Sequence, residues 1–147
     1  MATIRTMRTD DYKDVYTLWL HTKGMGLNTS DDSLQGITRY LERNPHTCFV
    51  AEENRNIIGV IIAGHDGRRG FIYHTAVAAT ARRKGIGTAL VEASLQALGA
   101  EGIVKVALVV FAGNATGNAF WEARGFSVRN DLLYRNKSLV SLERIDT

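Results

Sequence analysis

Arg82-Arg83-Lys84-Gly85-Ile86-Gly87-Thr88 is the densest cluster of chemically capable groups in the sequence, three adjacent cations running into two glycines. A β-like run, Phe71-Ile72-Tyr73-His74-Thr75-Ala76-Val77, comes before it and a helical apolar period follows, so the glycines fall where a helix starts. Such a turn leaves several backbone N–H groups without intrahelical partners, at the positive end of the helix dipole. It is an anion cradle. Gly85 and Gly87 lack a Cβ, so a phosphate can approach the main chain, and the side chains of Arg82, Arg83 and Lys84 can add charge-assisted contacts.

Two other phosphate loops do not fit. A Walker A loop needs Gly-Lys-Ser/Thr after its spacer, which is absent, and a dinucleotide fingerprint needs a third glycine where Leu90 stands. The pattern Gln/Arg-x-x-Gly-x-Gly/Ala does fit, as Arg82-Arg83-Lys84-Gly85-Ile86-Gly87. A second pattern lies further on: Asn114-Ala115-Thr116-Gly117-Asn118-Ala119-Phe120-Trp121-Glu122-Ala123-Arg124-Gly125-Phe126. Asn114 suits a helix N-cap, Trp121 follows on the helix, and Gly125-Phe126 closes it.

The elements that must hold these motifs follow from periodicity. Tyr12, Val15, Tyr16 and Trp19 mark the buried stripe of a first helix. The run Ser30-Asp31-Asp32 predicts the cap of a second, with Leu34, Ile37 and Leu41 inward and Asn44-Pro45 as its stop. Residues 2–7, 47–52, 57–63 and 71–77 read as strands, the second and third joined as an antiparallel hairpin by Glu53-Asn54-Arg55-Asn56. A helix over 83–98, with Ile86, Leu90, Ala93 and Ala97 on one face, leads to a β-branched run at 104–110 that predicts a strand covered on both faces. Strand, helix, strand implies a parallel pair. A short helix over 118–124 and a final hairpin of 126–128 with 132–134 complete the reading.

In the two motifs, and in the order of elements, the chain resembles the GNAT superfamily of acetyl-CoA-dependent N-acetyltransferases. The resemblance implies an α/β fold: a mixed, mostly antiparallel sheet of about six to seven strands, one central parallel pair, and about four flanking helices. It implies one acetyltransferase domain over residues 1–147. Acetyl-CoA would be the acetyl donor, its pyrophosphate on Arg82, Arg83, Lys84, Gly85, Ile86, Gly87 and Thr88. Its pantetheine arm would lie where the strand ending at Val77 parts from the strand around 106–110. Main-chain groups of Thr75, Ala76 and Val77 would hold the arm and the acetyl carbonyl, whose developing negative charge needs fixed donors. Asn114 and Trp121 would flank the arm from the other side.

The implied reaction is direct attack of a primary amine on the thioester, without a covalent enzyme intermediate. Many relatives carry a tyrosine where Trp121 stands, to protonate the departing thiolate. An indole N–H donates a hydrogen bond but is no useful acid, so Tyr134 or Tyr73 would supply the proton, or the thiolate would leave unprotonated. The base is open. His74 falls on the opposite face from Tyr73 by strand alternation unless a bulge changes the phase, and a water chain, or Glu52 or Asp66 acting at a distance, are the alternatives. Without a working acid and base, the chain would be an acyl-CoA-binding module of this fold instead.

The remaining features exclude more than they assign. The formal charge of +3 is not gathered in a tail, so nucleic acid is not indicated. No apolar run suits a signal peptide or a membrane span, which predicts a cytoplasmic protein without membrane contact. Cys48 is the single cysteine and reads as a buried strand thiol. His21, His46, His65 and His74 lie on separate elements, so no metal site is expected. The partner is expected to be a small-molecule or peptide amine, with Asp31, Asp32 and Asp66 as acids that could attract it. A homodimer through the C-terminal strands is an expectation from relatives.

Overall fold

The computed structural model describes residues 1–147. Strand β1 (Thr3–Thr6) leads through a 3-10 turn into helix α1 (Tyr12–Leu20). Asp11 fastens the two: its carboxylate accepts two guanidinium N–H bonds from Arg5, each 2.8 Å, and the N–H of Arg8 at 2.8 Å. Burial alone would push this carboxyl up, but those bonds outweigh it and hold it below the ordinary carboxylate range. Val15, Leu18 and Trp19 are buried on the inward stripe of α1, while Tyr12 and Tyr16 are half-buried beside it.

After the short strand β2 (Leu27–Asn28) comes α2 (Leu34–Arg43). It starts later than Ser30-Asp31-Asp32 predicts, because Ser33 is the N-cap, its Oγ accepting the N–H of Gly36 at 3.0 Å. Asp32 is buried and bonded elsewhere, so it is not available as a cap. Leu34 consequently stands in the first turn, 53% exposed instead of inward, whereas Ile37 and Leu41 are buried as the period requires.

Strands β3 (Phe49–Glu53), β4 (Asn56–His65) and β5 (Gly70–Val77) form an antiparallel meander. Helix α3 (Ile86–Ala100) then returns the chain to β6 (Val106–Leu108), which pairs parallel with β5. Helix α4 (Ala115–Ala123) follows, and β7 (Arg144–Ile145) pairs with β2. The mixed, mostly antiparallel α/β architecture is therefore present, with its seven strands divided into a sheet of order β1-β3-β4-β5-β6 and a separate pair.

Two apolar clusters cover the five-stranded sheet. Val15, Trp19, Ile37, Leu41, Val60, Ile62 and Ala76 join α1 and α2 to one face, and Ala51, Ile61, Ala63, Ile72, Ile86, Leu90 and Leu98 join α3 to the other. Gly59 seats α3: a Cβ there would lie 3.0 Å from Leu90 and 3.1 Å from Ile86. The buried stripe of α3 runs through Ile86, Leu90, Val91, Ser94 and Leu98, displacing Ala93 and Ala97 to its margin. Ser94 is admitted because its hydroxyl donates to the Thr47 carbonyl at 3.1 Å.

Two expectations fail near the C-terminus. The 104–110 run is not a strand covered on both faces: β6 is the edge of the sheet, Val104 is 85% exposed and Val109 57%. The hairpin of 126–128 with 132–134 does not form. Val128, Leu132, Leu133 and Tyr134 are exposed, so no burial rewards their pairing, and Arg129 closes locally on Asp131 at 2.8 Å instead.

Candidate active site

The parallel pairing of β5 and β6 has three rungs, Gly70 to Val106, Phe71 to Ala107 and Ile72 to Leu108, and then stops. β5 continues to Val77, so its segment from Tyr73 onward has no strand partner on the β6 side. Such an opening leaves main-chain N–H and C=O groups to be satisfied by something other than a strand. A groove of about 1640 Å³ runs along it. Thr75, Ala76, Val77, Arg82, Arg83, Gly85, Ile86, Gly87, Thr88, Asn114, Trp121, Tyr73 and Tyr134 all line that groove; Lys84 does not.

At the far end of β5 the chain turns through a 3-10 segment into α3. Gly85 is the helix N-cap with φ +78°, a left-handed conformation that glycine adopts without a Cβ penalty. Arg83 also has positive φ, +65°. Arg82 folds back, its Nε donating to the Val77 carbonyl at 3.2 Å. The first helical N–H bond is from Ala89 to Gly85, 3.0 Å, so the N–H groups of Ile86, Gly87 and Thr88 have no partner within the helix. Space above Gly85 is open, and nothing lies within 4 Å of where its Cβ would be. Gly87 differs: a Cβ there would stand 3.1 Å from the Phe120 ring, so this glycine makes room for α4, not for a ligand.

Helix α4 begins at Ala115, three residues before the sequence predicts, because Asn114 is the N-cap and its Oδ1 accepts the N–H of Gly117 at 2.9 Å. Gly125, φ +88°, ends it as expected. Phe120, Trp121 and Phe126 stack edge to face against the α3 side of the sheet. Arg124 locks α4 to α3, its guanidinium lying 4.2 Å over the Phe120 ring and donating to the Thr88 hydroxyl at 2.6 and 3.1 Å.

The other end of the groove lies under α1 and α2. Between the Val60–Ala76 and Ile62–Tyr73 pairs the register shifts, so His74 and Thr75 together oppose Ile61. This β-bulge, with His74 at φ +35°, changes the phase of the strand and puts His74 on the same face as Tyr73. The His74 ring meets Trp19 edge to face at 5.1 Å, its carbonyl accepts the Trp19 Nε1–H at 3.1 Å, and its Nε2 lies 2.7 Å from Asp32 Oδ1. Tyr73 stands between Phe71 and Tyr40, and burial, with Tyr134 and Asp31 nearby, pushes its phenol up, so it keeps its proton at neutral pH. Tyr134 is 68% exposed on the groove wall.

Glu52 and Asp66 are not among the groove residues. Glu52 faces Arg5, and Asp66 accepts the N–H groups of Arg68 and Arg69 in the β4–β5 turn. Cys48 is fully buried, its thiol pushed up to about 12 by burial, which leaves no thiolate for chemistry.

The sequence model of the Acetyltransferase (GNAT) family matches residues 12–126. The chain belongs to this family. An acetyltransferase of Sodalis glossinidius is 31% identical over 137 residues, covering 93% of this chain and 95% of that one. Among solved structures, a predicted acetyltransferase from Clostridium acetobutylicum with acetyl-CoA superposes with a TM-score of 0.70 at 22% identity, over 92% of this chain and 96% of that one. A diaminobutyrate acetyltransferase from Paenibacillus lautus, in complex with L-2,4-diaminobutyric acid and coenzyme A, gives 0.71 at 22% identity, over 84% and 74%. In this acetyltransferase the turn after β5 and the first turns of α4 line one groove. What sequence reasoning missed are the Asp32 contact of His74 and the Arg124–Thr88 clamp, both made by residues far apart in the chain. The signal for the first was in view as a strand histidine, but its face depends on the bulge.

Proposed function

We propose that this chain, acting as one domain over residues 1–147, moves the acetyl group of acetyl-CoA to a primary amine by direct attack in a ternary complex. The observation that carries the reading is the parting of β5 from β6 after Ile72 and Leu108, with a left-handed glycine turn at the end of the same strand. A long anionic thioester fits that pairing of features. Its pyrophosphate meets the N–H groups of Ile86, Gly87 and Thr88 and the cations Arg82 and Arg83. Its pantetheine amides replace the missing strand along Thr75, Ala76 and Val77. Asn114 and Trp121 bound the arm on the α4 side.

Fixed main-chain donors on β5 steady the charge that develops on the carbonyl oxygen. Tyr73, protonated at neutral pH and 45% exposed in the groove, hands a proton to the departing thiolate, with Tyr134 as the neighbouring alternative. The acceptor enters from the α1–α2 side. The diaminobutyrate enzyme of similar fold takes a small amine-bearing acid, and acceptors of that size suit the end of the groove between Tyr40, Tyr73 and Asp31.

The test pairs acetyl-CoA titration calorimetry with thiol release over a panel of amines, for the native chain and Gly85→Glu. Native binding with amine-dependent thiol release is expected, and a loss of acetyl-CoA affinity of about 100-fold or more in Gly85→Glu, about 2.7 kcal/mol. Unchanged affinity in that variant would remove the turn from the site. Binding without thiol release for any amine would make the protein an acyl-CoA-binding module.

A further inference from the structure

We infer that His74 is the general base that takes the proton from the acceptor's ammonium group, with Asp32 as its positioning residue. The inference rests on the acetyl-transfer reading above. The β-bulge turns the imidazole toward α1 and α2, two residues past the last β5–β6 rung and next to Thr75, where the thioester carbonyl is proposed to sit. Asp32 fixes the tautomer. Its carboxylate only accepts, so Nε2 carries the hydrogen of the 2.7 Å bond and Nδ1 keeps a free lone pair. Asp32 is itself held, its Oδ2 accepting the Asn28 N–H at 2.8 Å and its carbonyl accepting the Tyr12 hydroxyl at 2.6 Å.

The remaining nitrogen is not sealed in protein. No buried side-chain nitrogen or oxygen in the molecule lacks a hydrogen-bond partner, and Nδ1 has none, so it is reachable by solvent; His74 lines the groove that holds Tyr73 and Thr75. The groups around it are Asp32 from the α1–α2 connection, Trp19 from α1 and Tyr73 from β5, with Tyr12 and Asp31 one contact further away. Asp32 is the only charged group bonded to the ring. A buried carboxylate behind an imidazole that faces a reactant is the arrangement by which proteins hold a histidine as a proton acceptor.

The protons balance. One leaves the ammonium for Nδ1 and is later released to water. The free amine forms the C–N bond while the C–S bond breaks and its electron pair goes to sulfur, and the second proton shed by nitrogen ends on the thiolate, directly or through Tyr73.

The experiment compares native chain, His74→Gln and Asp32→Asn, using the best amine of the panel and hydrazine, both at about pH 9, where hydrazine, a far weaker base than an alkylamine, is already largely unprotonated. With the ammonium substrate, His74→Gln should lower kcat/KM by about 10²- to 10⁴-fold, and Asp32→Asn should lower it less. Acetyl-CoA affinity should stay within about twofold, and hydrazine turnover should fall far less than ammonium turnover, because hydrazine needs no base. An equal loss for both nucleophiles, or retained ammonium turnover in His74→Gln, would overturn the assignment.

Should the variants not fold, diethyl pyrocarbonate on the native chain decides. Modification of His74, located by peptide mapping, should track inactivation and be slowed by the amine. An unmodified His74, or full activity after its modification, refutes the role. Absence of turnover by the native chain with every amine and with hydrazine refutes acetyl transfer itself, and this inference with it.

Discussion

The two ends of the groove are built by different means. At the 82–88 turn the contacts that set the start of α3 are local: Arg82 bonds Val77, Ala89 bonds Gly85, and Gly85 is left-handed, while the distant residues of α4 reach Gly87 and Thr88. At the His74 end the anchoring bonds are long-range. Residue 74 is held by Trp19, 55 positions earlier, and by Asp32, 42 positions earlier. A site made from consecutive backbone groups tolerates change elsewhere in the fold, whereas one assembled from three elements depends on all three staying packed.

Trp19, which is fully buried, tests the independence of the two ends most severely. Trp19→Ala should cost about 3–5 kcal/mol in urea unfolding. Under conditions where the variant is still folded it should lose amine turnover while acetyl-CoA affinity, measured by calorimetry, falls by no more than about threefold, a difference of about 0.7 kcal/mol. A matching loss of affinity would show that the two ends are not independent.

A smaller effect tests the electrostatic anchor of α1. Asp11 has a folded pKa below its ordinary value, so its contribution is complete above that ordinary value, about 3.9, and is lost as pH falls through the folded value. Asp11→Asn should therefore remove about 2 kcal/mol at pH 7 and progressively less toward pH 3, read by denaturant unfolding at several pH values. The turn at 82–88 contains no carboxylate, so acid should weaken the acceptor end before the donor end.

Gly85→Ala isolates the local end. Forcing a Cβ into φ +78° should cost about 1–2 kcal/mol, and Gly85→Asn less, because asparagine visits that region more readily. Both should lower acetyl-CoA affinity without disturbing the Trp19–His74 contact, visible as unchanged tryptophan fluorescence. Least of all, Ser33→Ala removes the N-cap of α2 and should cost about 1 kcal/mol, with a slight loss in amine turnover through the neighbouring Asp32.

Much of the fold was legible in sequence because its signals are short-range. The stripe of α1, the β3–β4 hairpin, the start of α3 at the Gly85 turn and the stop at Gly125 follow from period and residue type. Where the reading failed, a distant partner decided. Asp32 looked like a cap until His74 claimed it, and Gly87 looked like room for a phosphate until Phe120 occupied the space. The 126–134 segment has strand-like residues, but no burial holds it in the sheet.

By itself, then, the sequence determined the order of the main elements from β1 to α4, the family and the turn whose N–H groups lack helical partners, since each is written in consecutive residues. Only the tertiary structure decided which face His74 occupies and what it bonds. One extra residue in β5, accommodated opposite Ile61, reverses the side on which every following side chain emerges, and strand periodicity alone carries no sign of where such a shift occurs.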